Sequence, residues 1–168
     1  AIPVALEPFC PGASGQDGMP VVFDVELDET SISHTDFTIH LASGETRTPI
    51  CASTMPAGEE NEDRTVLLLG DFGSAAVDAP MTLEVTSQIL DESGQNLAGS
   101  TISITSLDAG PSLVWAEPAF LSETTCTDNA LSALRVIWDG GVSALNGDEV
   151  SNNELAQFTV ETAEGVFF

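Results

Sequence analysis

Positive charge is almost absent from this chain. Its 168 residues contain no lysine and three arginines, Arg47, Arg64 and Arg135, against 27 aspartates and glutamates, so the formal net charge at pH 7 is -24. A surface this acidic repels phosphate backbones and anionic lipid headgroups, so we expect no nucleic-acid partner. Lysine is normally among the commonest residues, and its replacement by acids, serine and threonine is typical of proteins exposed to high salt.

Several motifs of known chemistry are also missing. No apolar run approaches the roughly 20 residues that span a bilayer, so no transmembrane segment is predicted. The three cysteines form no C-x-x-C pair, which argues against zinc ribbons and thioredoxin chemistry. There is no G-x-S-x-G nucleophile motif and no N-x-[ST] glycosylation sequon.

The residues that are present favour a β-rich core. Hydrophobic residues make up 42% of the chain, which is too many for a disordered acidic tail. Apolar and polar residues alternate with a period of two in short runs separated by glycine, asparagine and proline turns. The runs cover residues 21–27, 37–41, 65–69, 81–90, 100–107, 112–115, 134–138 and 157–160. This pattern predicts an all-β fold, an antiparallel immunoglobulin-like (Ig-like) β-sandwich.

Gly110 and Pro111 mark the best candidate for a domain boundary. Residues 1–110 hold six or seven predicted strands, enough for one Ig-like sandwich. Residues 111–168 are few for a second sandwich, so we expect a C-terminal β extension or a partial second domain.

One region resembles a known family. Over residues 20–99 the apolar strand 20–28 precedes the turn Thr30-Ser-Ile-Ser33, and the strands Phe37-Thr-Ile39 and Arg64-Thr-Val66 follow before Asp91-Glu-Ser-Gly94-Gln-Asn96-Leu97. This order resembles bacterial Ig-like domains of surface-layer and other exported proteins. The last motif has an extra Gln between Gly and Asn, and residues 52–62 form a long insertion. The resemblance implies an exported β-sandwich used as a structural or adhesive module.

The cysteines and the chain ends lead to related expectations. The segment Ala1–Cys10 is typical of a mature N-terminus after signal removal, so we expect an exported protein. Cys10 and Cys51 are the predicted disulfide, which presumes an oxidising compartment and would add about 3–4 kcal/mol by closing a loop of about forty residues. Cys126 then has no partner, which favours a piece of a longer protein.

Calcium is the only cofactor that the sequence suggests. The densest acidic cluster contains Glu59, Glu60, Glu62 and Asp63, and two further acidic loops contain Asp91 and Asp148. Oxygen ligands on loops are what Ca²⁺ requires, at six to eight oxygens per ion. None of these loops has EF-hand spacing, so a solvated loop is the alternative for each.

Other polar and aromatic residues have structural interpretations. Trp115 and Trp138 alternate with apolar neighbours and are expected in a core. Arg64 and Arg135 begin strands and are expected to form exposed pairs with carboxylates. His40 is expected on the polar face of its strand.

These observations predict an exported, acidic, non-catalytic structural or binding module at a cell surface or in a periplasm, with a protein or carbohydrate surface as its partner. One alternative is a calcium-dependent adhesion or carbohydrate-binding module. The other is a hydrolase that uses a pair of carboxylates.

Overall fold

The computed structural model describes residues 10–55, 63–106, 109–119, 133–140, 154, 156–162 and 165–167 of the chain. Within these ranges the chain forms antiparallel β-strands, and the helical residues are two 3₁₀ turns, Glu29–Ser31 and His34–Asp36, and the single residues Ala109 and Glu154. The prediction of an all-β fold is therefore confirmed. No helix in the described part of the chain is long and apolar enough to cross a membrane.

The first seven strands form two antiparallel sheets. The first sheet has the order β1-β5-β4, with bounds Asp17–Val22 for β1, Cys51–Ser53 for β4 and Thr65–Gly70 for β5. The second sheet has the order β3-β2-β6-β7, with bounds Phe37–Leu41 for β2, Thr46–Arg47 for β3, Pro80–Val85 for β6 and Thr101–Ser103 for β7.

The two sheets share one hydrophobic core, so they pack as a β-sandwich. In β2 the side chains alternate between buried and half-buried, as the period-two pattern requires. One cluster joins the inner faces of both sheets and the loops beside them. Its buried members are Val21, Phe23, Leu27, Phe37, Ile39, Leu41, Val66, Leu68, Phe72, Leu83, Val85 and Ile89.

Strand β5 is apolar on both of its faces because the segment before β1 covers its outer side. Val66 and Leu68 point into the sandwich core. Leu69 points to the other face, where it is buried in a small cluster with Cys10 and Ala13. The Thr-Val-Leu-Leu-Leu run of β5 therefore reflects burial on two sides.

The C-terminal part contributes two further antiparallel pairs. Strands β8 (Leu113–Ala119) and β9 (Ala133–Trp138) form one pair, here called the β8–β9 ribbon. Strands β10 (Val160–Thr162) and β11 (Gly165–Phe167) form the other. The Trp138 ring meets the Phe158 ring edge-to-face, with centroids 6.2 Å apart and an interplanar angle of 82°.

Candidate functional site

Many aspartate side chains hold loops through hydrogen bonds to the backbone. Part of the acidic composition therefore has a role in local structure. Each of six described aspartates accepts a hydrogen bond from a backbone N–H, the usual role of this residue in turns and caps. The six are Asp28, Asp36, Asp71, Asp78, Asp91 and Asp139. These carboxylates stabilise the loops without a ligand.

Asp91, a predicted calcium ligand, is one of them. It is only 8% exposed, and its Oδ1 accepts hydrogen bonds from the Ser93 hydroxyl at 2.6 Å and the Gln95 N–H at 2.8 Å. The Ser93 hydroxyl and then the Gln95 N–H hold the pKa of Asp91 below its ordinary value of 3.8. One oxygen of this carboxylate is thus engaged in holding the turn after β6.

Asp63, another predicted calcium ligand, lies beside Glu29. The Leu27 N–H donates to the Asp63 carbonyl at 2.9 Å, which fixes the backbone of Asp63 next to the 3₁₀ turn that contains Glu29. A hydrogen bond with Asp63, and then the charge of Asp63, raise the pKa of Glu29 above its ordinary value of 4.5. The Oδ1 atom of Asp63 is buried and has no hydrogen-bond partner.

The remaining predicted calcium ligands lie outside the described residues. They are Glu59, Glu60, Glu62 and Asp148. Among the described residues, no group of three or more acids, histidines or cysteines is arranged to hold a metal ion. Calcium binding therefore stays a prediction, and within the described ranges it rests on Asp63 and Asp91.

The densest set of polar contacts surrounds Arg64, the residue immediately before β5. Its side chain is only 6% exposed, and its Nη2 donates to Glu117 Oε2 at 3.2 Å and to Glu26 Oε1 at 3.4 Å. Arg135 donates to the other oxygen of Glu117 at 3.2 Å. Two of the three arginines in the chain thus meet at one carboxylate. Arg64 pairs with carboxylates, as the sequence predicted, but the pair is buried rather than exposed because the β8–β9 ribbon covers it.

Trp115 completes this cluster. Its ring lies over the Arg64 guanidinium, 5.1 Å from carbon to ring centroid, and its indole N–H donates to Glu117 Oε2 at 3.0 Å. Trp115 is half-buried and does not belong to the sandwich core, although the sequence predicted a core position for it. Its apolar body and polar N–H both serve the contact with Arg64 and Glu117.

The cluster favours ionised Glu117. The Trp115 hydrogen bond, followed by the charge of Arg64 and the contacts of Arg135, holds the pKa of Glu117 below its ordinary value of 4.5. A depressed acid pKa means that the ionised group stabilises the fold above that ordinary value. The contribution is lost as the pH falls through the lowered pKa of Glu117.

A shallow depression of about 330 Å³ adjoins this cluster. It is lined by Val25, Glu26, Arg64, Asp91, Glu92 and Ser93. Three carboxylates and one guanidinium give this lining a net negative charge, which suits a cationic or hydroxyl-rich group rather than an anion. The depression brings Asp91 of the sequence prediction together with Glu26 and Arg64, which come from other loops.

The histidine and cysteine predictions have separate outcomes. His40 lies on the face of β2 opposite the core, as expected, and its Nε2 is 3.0 Å from Glu84 Oε2 on β6. Cys10 and Cys51 belong to the same small cluster beside Leu69. Cys51 is a thiol in the structure, so the disulfide is not formed there and its pairing stays a prediction.

Glu26, Glu29 and Glu117 were not among the residues singled out from the sequence. The predicted strand ended at Trp115, but Glu117 follows it by two residues, so an extension of that strand would place the two side chains on one face, as β8 does. No family model, curated protein or solved structure matches this chain. The geometry of the described residues is therefore the basis for the function.

Proposed function

We propose that the chain is an exported, acidic, non-catalytic Ig-like module with a structural or binding role at a cell surface or in a periplasm. The observation that carries this proposal is the strand order of the two sheets, β1-β5-β4 and β3-β2-β6-β7. If β1 is strand B of an immunoglobulin fold, these orders become B-E-D and C′-C-F-G. Both match the arrangement of that fold, which supports the Ig-like interpretation.

The distribution of acids supports a structural or binding role. Described aspartates hold loops through backbone N–H groups, as in the turn of Asp91, and Glu117 holds the ribbon near Arg64. The depression beside Arg64 is shallow and acidic. Such a surface fits contact with a protein or a carbohydrate through exposed carboxylates, and it disfavours nucleic acid.

Protease treatment of intact host cells tests the proposed location. We expect an antibody to this chain to detect the protein at the surface or in the released fraction, and external protease to remove the surface signal while a cytoplasmic marker survives. If the host has an outer membrane, osmotic release replaces surface treatment. A protein that stays with the cytoplasmic marker in both treatments would contradict the proposal of export.

A calcium-dependent module is the second candidate, and the Glu29–Asp63 pair is the observation that favours it. The hydrogen bond with Asp63, and then the repulsion between the two carboxyls when both are ionised, raise the pKa of Glu29. A cation bound between them would remove this cost, and the buried Oδ1 of Asp63 has no other partner.

Thermal melts with EDTA, Ca²⁺ or Mg²⁺ at matched ionic strength test this candidate. Calcium at about a hundred times its dissociation constant would add about 2.7 kcal/mol, which raises Tm by about 2–4 °C per kcal/mol. We expect a calcium-specific rise that Asp63→Asn abolishes and Asp17→Asn, at an exposed acid of β1, preserves. Equal shifts with Ca²⁺ and Mg²⁺, or a calcium shift that survives in the Asp63→Asn variant, would contradict a site at Asp63.

A further inference from the structure

The β8–β9 ribbon turns its polar face toward the sandwich. Cross-strand pairing places Glu117 opposite Arg135 and Trp115 opposite Ile137, on one face of the ribbon. Glu117 and Trp115 are the residues of this face that contact Arg64 of the sandwich. The contact is therefore made by charges and one aromatic ring.

The other face of the ribbon is apolar and faces away from the sandwich. The cross-strand pairs Ala116–Val136 and Pro118–Leu134 lie on it, and Leu134 is 46% exposed. In the described part of the chain, the apolar residues packed against the sandwich core end at Ile104, and none comes from β8 or β9. The junction thus lacks the apolar contact that makes two units unfold together.

The closed junction also has a cost. Arg64 Nε and Nη1 are buried without hydrogen-bond partners, and a buried donor without a partner is unfavourable relative to a hydrated one. Departure of the ribbon would expose both groups to water. The ion pair with Glu117 and the stacking of Trp115 favour closure, while the two unpartnered N–H groups oppose it, so the closed junction is less stable than its contacts alone would make it.

From these contacts we infer that the β8–β9 ribbon is a latch, which opens and closes on Arg64 as a unit while the sandwich stays folded. At the contact between the two parts, the sandwich contributes Glu26 and Arg64, and the latch contributes Glu117, Arg135 and Trp115. Opening exposes the guanidinium of Arg64 beside the acidic depression and widens the surface on which a partner would bind. The inference does not depend on the proposed export or on calcium binding.

Hydrogen exchange followed by mass spectrometry tests the latch on the whole chain. In the unmodified protein we expect amides of β8 and β9 to exchange through an opening that leaves β2 and β6 protected. Glu117→Gln removes a charge-assisted contact and should speed exchange in the ribbon by about tenfold or more, with β2 and β6 unchanged. Glu45→Gln is the matched control, because Glu45 forms an exposed pair with Arg47 at 3.0 Å and should change neither region.

Two results would overturn the latch. One is equal protection of the ribbon and of β2 and β6 in the unmodified protein, which would make them a single cooperative unit. The other is unchanged ribbon exchange in Glu117→Gln. Trp115→Phe provides a milder variant should Glu117→Gln fold poorly, because it keeps a smaller aromatic ring at Arg64 and removes the N–H to Glu117. It should speed ribbon exchange by a smaller factor, and no change there would also count against the latch.

Discussion

Replacing Phe37 by alanine is expected to destabilise the protein by about 3–5 kcal/mol. Phe37 is fully buried, begins β2, and belongs to the core shared by both sheets. Its removal loses the transfer free energy of the ring and leaves a cavity that surrounding strands cannot close, because they are fixed by pairing on both sides of β2. Total stabilities are usually about 5–15 kcal/mol, so this change removes a large share.

Urea unfolding followed by circular dichroism measures the loss. Phe37→Leu is a graded variant that retains more apolar volume, so its loss should be smaller than that of Phe37→Ala. Val77→Ala is the matched control, because Val77 is 89% exposed and its truncation should change stability by no more than about 0.5 kcal/mol. A loss in Phe37→Ala as small as in the control would show that the two sheets do not share this core in solution.

Alternation in the sequence located the central strands well. Strand β2 has the predicted bounds, and β5 extends the predicted run by one residue, to Gly70. Strand β6 ends at Val85, well before the predicted residue 90, since the chain leaves the sheet there and Ile89 is buried from a loop. Periodicity indicates which side chains are buried, but it does not distinguish a buried strand residue from a buried loop residue.

The sequence pattern did not predict the short strands β3 and β4 or the start of β1. Strands β3 and β4 have two and three residues, too few for a pattern, and exist because β2 and β5 offer edges to pair with. Strand β1 begins at Asp17 although it contains Pro20, which normally disfavours a strand. Backbone N–H groups alternate in direction along a strand, and the Phe23 N–H donates to the carbonyl of Arg64 immediately before β5. The nitrogen of Pro20, three residues away, therefore points to the unpaired side of β1, where a missing N–H costs no hydrogen bond with β5.

The contacts of the candidate site were even less predictable from the sequence than the short strands. Acid density in the sequence singled out Asp63 and Asp91, but it did not show that one sits beside Glu29 and the other closes its own turn. The contact of Arg64 with Glu117 joins residues 53 apart in sequence. Which of 27 acids meets a given arginine depends on how the ribbon lies on the sandwich, and no local pattern encodes that.

Gly73→Ala, in the loop between β5 and β6, is expected to destabilise the fold by well more than the cost of its backbone conformation. Gly73 has φ +84°, a region where an L-residue costs about 1–2 kcal/mol. A Cβ at this position would also overlap the carbonyl oxygen of Asp78. That carbonyl accepts the Ser74 N–H at 3.2 Å, and the side chain of Asp78 accepts the Ser43 N–H at 2.9 Å. Relief of the overlap would therefore disturb both contacts.

Gly94→Ala separates the two causes, because Gly94 has the same φ of +84° with no atom within 4 Å of the added Cβ. We expect it to lose about 1–2 kcal/mol from backbone strain alone, and Gly73→Ala to lose distinctly more in urea unfolding. Asp78→Asn weakens the contacts to Ser43 but adds no Cβ at residue 73. Its loss of unfolding free energy should therefore be smaller than that of Gly73→Ala. Equal losses in the two glycine variants would mean that the β5–β6 loop shifts away from the added methyl group, and that Asp78 does not hold it against Ser43.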